Sequence, residues 1–376
     1  MTTLALLAAL IWLGLLCAHG RFWQSGPELA AALPPAAPAV AVVIPARDEA
    51  ETIGAVLASL RGQDYPGDLR IIVVDDRSTD ATAAIAAGLD DPRIRVLHGS
   101  ETPPGWSGKL WAVAQGIAAA REAAPAPEFL LLCDADIVHA PGHLSTLVAA
   151  AERGDTDLVS EMVALHCESL AERALVPAFV YFFQLLYPFA KVCDPLSAKA
   201  AAAAGGTMLL RPRALDRIGG IAAVRGALID DVALAGAVKR GGRIWLGHTR
   251  AARSLRRYPD FADLWRMIAR TAYVQLRFSP LLLGGTVLGM ALVWLLGPAL
   301  ALFGGGAARL LGLLIWAMMA ASYLPTLARF GRFPAWALAM PAIAAFYMAA
   351  TIGSALDHHR GRGVLWKGRA YRGGGA

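Results

Sequence analysis

The stretch Phe129-Leu-Leu-Leu-Cys133-Asp134-Ala135-Asp136-Ile137-Val138 constrains this chain more than any other. An apolar run of that length, stopped by an aspartate, reads as a buried strand that ends at the edge of its sheet. Asp-x-Asp at such an edge offers two oxygen ligands to a hard divalent cation. Mg²⁺ and Mn²⁺ take carboxylates together with substrate phosphates. The same residues also suit a plain Asx turn in which Asp136 bonds its own backbone. The motif alone leaves both readings open.

Its neighbours narrow the choice. Strand patterns over residues 40–44, 69–74, 94–97 and 129–133 alternate with helix patterns over 49–61, 79–87 and 109–121. This alternation predicts an α/β fold, a mostly parallel sheet with helices on both faces. Ligands of such sheets bind beyond the carboxyl ends of the strands. There stand Pro45, Arg47 and Glu49 after the first strand and Asp75-Asp76 after the second. Arg47 and Glu49 open a helix whose dipole favours an anionic ligand, although capping by Asp48 or Glu49 explains them as well. Adjacent carboxylates at Asp75-Asp76 repel unless a donor or cation shares them, and helix capping does not account for the pair.

Further along, Gly108-Lys109 opens a helix and can meet a phosphate, or Lys109 is a solvated surface lysine. The segment has neither P-loop nor dinucleotide-fingerprint spacing. Gly205-Gly206 precedes a short strand, either as a turn or to let the backbone approach a ligand. Asp230 reads as a helix N-cap and Asp231 as a first-turn acid, and a carboxylate there can also serve as a general base. Gln275 and Arg277 precede the first C-terminal apolar run, suited to the membrane interface or to closure over a pyrophosphate. His139 and His143 are separated by Pro141 and are not expected to form a helical metal pair. The four cysteines are scattered and imply no disulfide framework or zinc site.

The chain of 376 residues is 56% hydrophobic, with a mean hydropathy of +0.49. That is too apolar for an ordinary soluble enzyme of this length. Residues 2–18, 281–303, 310–328 and 333–356 are apolar runs near the roughly 17–25 residues of a spanning helix. Met-Thr-Thr lacks the positive start of a signal peptide, and Leu16 stands where a lipoprotein site at Cys17 needs a small residue. An uncleaved anchor is therefore expected. The formal net charge is +6, and arginines crowd both flanks of the C-terminal runs. The positive-inside rule and anionic headgroups explain them, so no nucleic-acid partner is expected. Both basic flanks want the cytosol, which requires an even number of crossings between them. The run 333–356, with Pro334 and Pro341, is the expected exception that does not cross.

In this order the motifs resemble family 2 inverting glycosyltransferases with a GT-A fold, over residues 40–278. The resemblance implies that Pro45, Arg47, Glu49 and Asp76 hold the nucleoside. Lys109 joins the nucleotide-sugar site. Asp134, Ala135 and Asp136 hold ribose, diphosphate and a Mg²⁺ or Mn²⁺ ion, with Asp136 as the metal ligand. Asp231 is the implied base, with Asp230 in the family's Glu position, and Gly206, Gln275 and Arg277 lie on the acceptor or diphosphate side. The family's Gln-x-x-Arg-Trp is absent: Gln275-Leu-Arg277-Phe278 is shorter and has Phe for Trp, which argues against processive polymer synthesis.

Trp366-Lys-Gly-Arg369-Ala-Tyr371 resembles the tail of ceramide glucosyltransferases. The anchor, Gly105-Trp-Ser-Gly-Lys109 and Gln275-Leu-Arg-Phe-Ser-Pro280 resemble bacterial hopene-associated glycosyltransferases. The implied organisation is an anchor (1–20), a linker (21–39), a transferase domain (40–279), a transmembrane region (280–356) and a basic tail (357–376). The implied function is hexosyl transfer from a nucleotide sugar to a membrane lipid such as a hopanoid or ceramide. It would take place at the cytosolic face of a bacterial inner membrane. A polyprenyl-phosphate sugar synthase and a non-catalytic scaffold or transport protein are the alternatives.

Overall fold

The structure, a computed structural model, describes residues 1–122, 124–197 and 199–361, and the backbone of Leu365–Trp366 and Arg369–Ala370. Lys367, Gly368 and Tyr371 of the tail motif lie outside the described residues. The chain divides into two units. One comprises Pro27–His166 and Lys191–Arg256; the other comprises Met1–Gly26, Cys167–Ala190 and Arg257–Trp366.

The first unit holds eight strands: β1 (Val40–Ala46), β2 (Leu69–Asp75), β3 (Ile94–His98), β4 (Phe129–Cys133), β5 (Ile137–His139), β6 (Leu158–Ala164), β7 (Thr207–Leu210) and β8 (Ile244–Ser254). They form one sheet in the order β3-β2-β1-β4-β7-β6-β8-β5. β3, β2, β1 and β4 run parallel; β7 is antiparallel to both β4 and β6, and β5 is antiparallel to β8. The mostly parallel sheet predicted from the alternation is therefore present. Its expected elements differ mainly at helix starts. Helix Ile53–Arg61 begins later than residue 49 because Asp48 takes a left-handed φ of 50° and turns the chain first. Helix Thr82–Ala87 begins after Asp80, whose carboxylate accepts the Thr82 N–H at 2.9 Å.

Helices cover both faces. Ile53, Val56, Leu57 and Leu60 from one helix, and Leu144, Leu147 and Val148 from helix His143–Arg153, pack with Val42, Ile44, Ile71 and Leu131. Helix Gly108–Arg121 lies against β1 and β2. Gly116 permits that approach: a Cβ on it would stand 2.4 Å from Val43 Cγ1 and 3.1 Å from Val74 Cγ2.

Behind the Asp134 turn runs a buried polar chain. Cys133 Sγ lies 3.1 Å from His139 Nε2, His139 Nδ1 is 2.8 Å from His143 Nδ1, and His143 Nε2 is 2.5 Å from Glu161 Oε2. Burial, reinforced by His143, holds His139 down to about 3, so its ring is neutral at physiological pH. The two histidines thus meet, but through a strand and a helix start on either side of Pro141. Among the described residues no group of three or more His, Cys, Asp or Glu side chains is arranged to hold a metal.

The second unit is helical. Pro280–Phe303, Gly306–Arg329 and Pro334–His359 are long and apolar enough to cross a membrane, and Thr2–Ala18 is a shorter apolar helix. Pro334 opens a 3₁₀ turn and Pro341 stands in the first turn of helix Met340–His359. At both positions the missing N–H costs nothing, so neither proline breaks the segment. The sequence pattern missed helix Leu170–Leu186, whose start carries a capping box of Ser169 and Glu172. Its Tyr181 donates to or accepts from Ser322 Oγ at 2.6 Å and its Phe182 packs edge-on to Trp294. These contacts assign residues 167–190 to the apolar helices rather than to the sheet.

Gly116→Ala tests the close packing of this fold. Alanine gains about 1 kcal/mol of helix propensity over glycine, while overpacking against Val43 costs about 1–3 kcal/mol. The clash at 2.4 Å is with a β-branched side chain between strand and helix, so the second term wins. The expected outcome is a melting temperature a few degrees lower by tryptophan fluorescence; an unchanged or raised value contradicts the packing described.

Candidate active site

The sheet topology brings distant residues to one edge. β1 ends at Ala46 and delivers Arg47, β2 ends at Asp75, and β4 ends at Cys133 and delivers Asp134. β7 enters from the opposite direction with Thr207 paired to Cys133, so Gly205-Gly206 arrives beside Asp134. β8 ends at Ser254, paired with Ile137, and delivers Arg256.

Lys109 lies at the centre of this edge. Ser107 caps its helix by accepting the Leu110 N–H at 3.2 Å. A cation in the first turn opposes the helix dipole, and carboxylates reverse that penalty here. Lys109 Nζ is 2.9 Å from Asp134 Oδ1 and 3.1 Å from Asp230 Oδ2. Burial alone would lower the ammonium's pKa, but Asp134 and Asp230 hold it well above its usual value. A cavity here is lined by Pro45, Lys109, Asp134, Gly205, Ile221 and Asp230.

Asp231 adjoins this cluster. Its Oδ2 accepts the Gly205 N–H at 2.9 Å and its Oδ1 accepts the Val232 N–H at 2.8 Å. Burial first, and then the neighbouring Asp230, push its carboxyl up to about 7, with Lys109 and the two N–H groups pulling the other way. A Cβ on Gly205 would stand 3.3 Å from Asp231 Oδ2, so the glycine serves a close approach rather than only a turn. Gly206 packs against Ile137 and Val163 instead. Asp230 is not the expected N-cap: that position falls to Ile229, which has no capping side chain, and Asp230 is the first helical residue.

All three carbonyls of Asp134-Ala135-Asp136 are held. The Asp134 O accepts from Ile137 N at 3.3 Å, the Ala135 O from Thr52 Oγ1 at 2.9 Å and the Asp136 O from Leu255 N at 2.8 Å. Asp136 Oδ2 accepts from Ser254 Oγ at 3.0 Å and Arg256 Nε at 3.1 Å, and Arg256 also reaches Glu49 Oε1 at 3.1 Å. Asp136 Oδ1 accepts no hydrogen bond among the described residues. Oxygen donors on this edge fit Mg²⁺ or Mn²⁺ in kind. With no three-residue cluster among the described residues, a Mg²⁺ held here would take its remaining ligands from substrate oxygens and water.

Arg47 and Asp76 form a third group. Arg47 donates to the Asp76 O at 2.7 Å and lies 3.7 Å from Asp76 Oδ2, leaving the Asp76 carboxylate 2% exposed. The Arg47 Nε is buried with no hydrogen-bond acceptor among the described residues. Asp48 and Arg77 nearby both have left-handed φ, at 50° and 55°, a strain that gathers at ligand sites. Gln275 and Arg277 belong to the other unit. There Gln275 donates to the Tyr187 hydroxyl, and Arg277 is exposed with a φ of 52°.

The residues that sequence reasoning missed are Thr52, Ser254 and Arg256. Arg256 was hidden among arginines that suit a membrane flank, and only the long-range β5–β8 pairing reveals its place.

A model of the family described as Glycosyl transferase family 2 matches residues 41–219. The chain is 38% identical over 79 residues to 4,4'-diaponeurosporenoate glycosyltransferase of Staphylococcus aureus (strain USA300). That stretch is 21% of this chain and 20% of the relative, so the match spans about a fifth of the relative's length. Among solved structures, the mannosyltransferase PcManGT from Pyrobaculum calidifontis, in complex with GDP-Man and Mn²⁺, is similar with a TM-score of 0.54. The identity is 21%, and the likeness covers 95% of this chain and 99% of that one, which establishes a shared fold. Residues 41–219 are thus similar to glycosyl transferase family 2, and the chain shares the fold of PcManGT.

Proposed function

We propose that the chain is an inverting glycosyltransferase that moves a hexosyl group from a nucleotide sugar to a hydroxyl of a membrane lipid. The observation that carries this reading is Asp231: a half-buried carboxylate, fixed by two backbone N–H groups, pushed up to about 7 beside a lysine that joins Asp134 to Asp230. A general base works best with its pKa near the operating pH. Asp231 takes the proton of the acceptor hydroxyl as its oxygen bonds to the anomeric carbon. The bond from that carbon to the nucleoside diphosphate breaks on the opposite side, and the diphosphate leaves with the electron pair. Lys109 stabilises the charge that grows there.

Asp136 is the proposed ligand of a Mg²⁺ or Mn²⁺ ion, which when bound neutralises the departing diphosphate. Asp134 and Ala135 hold the ribose and sugar. Pro45, Arg47, Glu49 and Asp76 form the nucleoside side, where the Arg47 Nε makes no hydrogen bond and has only the Asp48 carboxylate at 3.8 Å, which supports a ligand acceptor, since a buried donor without a hydrogen bond is costly. PcManGT was solved with GDP-Man and Mn²⁺, which supports a nucleoside-diphosphate sugar and a divalent ion for this chain. A UDP-sugar is the other donor to test.

Three helices able to cross a bilayer support a lipid acceptor, as does the relative named for 4,4'-diaponeurosporenoate. A hydroxylated hopanoid or ceramide-like lipid fits the resemblance of the tail and the 275–280 junction. The arginine-rich flanks favour a multi-pass protein of a bacterial cytoplasmic membrane with this domain on the cytosolic face.

The test is the pH dependence of transfer. Because the Asp231 pKa is raised, its basic form is lost below about 7, so kcat should rise with pH through that value. Lys109→Met removes a charge that pulls Asp231 down, and should move this limb to higher pH. Asp231→Asn should cost about 10²–10⁴-fold in kcat. Full activity of Asp231→Asn contradicts the assignment and points to a phosphate acceptor, which needs no base. Gly205→Ala crowds Asp231 Oδ2 and should lower kcat by about 10–10²-fold through misplacement of the base, in a protein that melts as the wild type does. Wild-type kinetics would show that the approach of Gly205 is incidental.

A further inference from the structure

Arg256 takes no part in the reaction as described, yet its guanidinium stands where positive charge at Asp136 has to stand. Its Nε donates to Asp136 Oδ2 and its terminal nitrogen to Glu49 Oε1, both at 3.1 Å. The two carboxylates are 11% and 13% exposed, while the arginine side chain is 39% exposed. One half-open cation thus closes over two nearly buried anions. The backbone beside it is pinned, since Leu255 N donates to the Asp136 O at 2.8 Å. The side chain can therefore swing outward without moving the strand end. Its departure alone removes a positive charge shared by Asp136 and Glu49, which is costly unless another cation replaces it.

We propose that Arg256 is a built-in counter-ion that occupies the cation's place at Asp136 while the site is empty of nucleotide. When a divalent ion arrives with a nucleoside diphosphate, Arg256 gives up Asp136, and the phosphates become its new partner, a geometry suited to a guanidinium. Ion and nucleotide therefore load together, and the ion alone is kept out. This rests on the donor-site reading above.

The test titrates Mn²⁺, alone and then with UDP or GDP, into the detergent-solubilised full-length protein. Bound ion is read from loss of the free-Mn²⁺ electron paramagnetic resonance signal. Wild-type protein should bind Mn²⁺ alone at least about tenfold more weakly than with nucleotide. Arg256→Gln should bind Mn²⁺ alone at least about tenfold more tightly than wild type, and Arg256→Lys, which keeps the charge, should behave as wild type. Melting curves identify any variant that fails to fold, and where Arg256→Gln does not fold, Arg256→Met carries the comparison with the same expected tightening of Mn²⁺ binding. Equal or weaker Mn²⁺ binding by folded Arg256→Gln overturns the proposal, as does identical behaviour of the two variants. If wild type binds Mn²⁺ with neither nucleotide, the donor-site reading falls as well, so the two failures are distinguishable.

Discussion

The ammonium of Lys109 between Asp134 and Asp230 is the interaction on which the site depends. It joins three chain segments that no local signal connects: the start of a helix, the end of β4 and the start of helix Asp230–Lys239. Without it, Asp134, Asp230 and Asp231 would face one another with no counter-charge, and repulsion would neutralise at least one of them. With it, the cluster separates into roles. Asp134 and Asp230 are paired, while Asp231, held by backbone N–H groups alone, keeps a raised pKa and the capacity to take a proton.

Two different cations serve Asp134 and Asp230, and Asp136 and Glu49. Lys109 is a point charge at the mouth of a cavity whose walls include Pro45 and Ile221. Arg256 is a planar fork shared between Asp136 and Glu49. The backbone beneath is rigid. Each carbonyl of Asp134-Ala135-Asp136 has a donor, and the Cys133–His139–His143–Glu161 chain fills the space behind.

Much of this was legible in the sequence where the signal is local. β1 to β4 and the helices between them follow from apolar runs bounded by turn residues. The carboxylates at their ends announced a ligand edge before any pairing was known. What stayed hidden depends on long-range pairing. The antiparallel entry of β7 turns Gly205 from a turn residue into a partner of Asp231. The β5–β8 pairing places Arg256 at Asp136, although its neighbours in sequence read as a membrane flank. Helix Leu170–Leu186 is apolar enough to suit either a domain core or membrane helices, and only its contacts through Tyr181 and Phe182 decide between them. The resemblance of residues 40–278 to family 2 was met by a family match over residues 41–219. The contacts also place residues 257–278 with the helical unit.

The most direct measurement of the central claim is transfer itself. Membranes carrying the protein are incubated with a panel of radiolabelled nucleotide sugars, with Mg²⁺ or Mn²⁺ or with chelator, and the lipids are extracted. The account predicts label from at least one sugar in the organic phase, abolished by chelation and by Asp136→Ala. Undiminished transfer under either condition, or no labelled lipid from the whole panel, contradicts it.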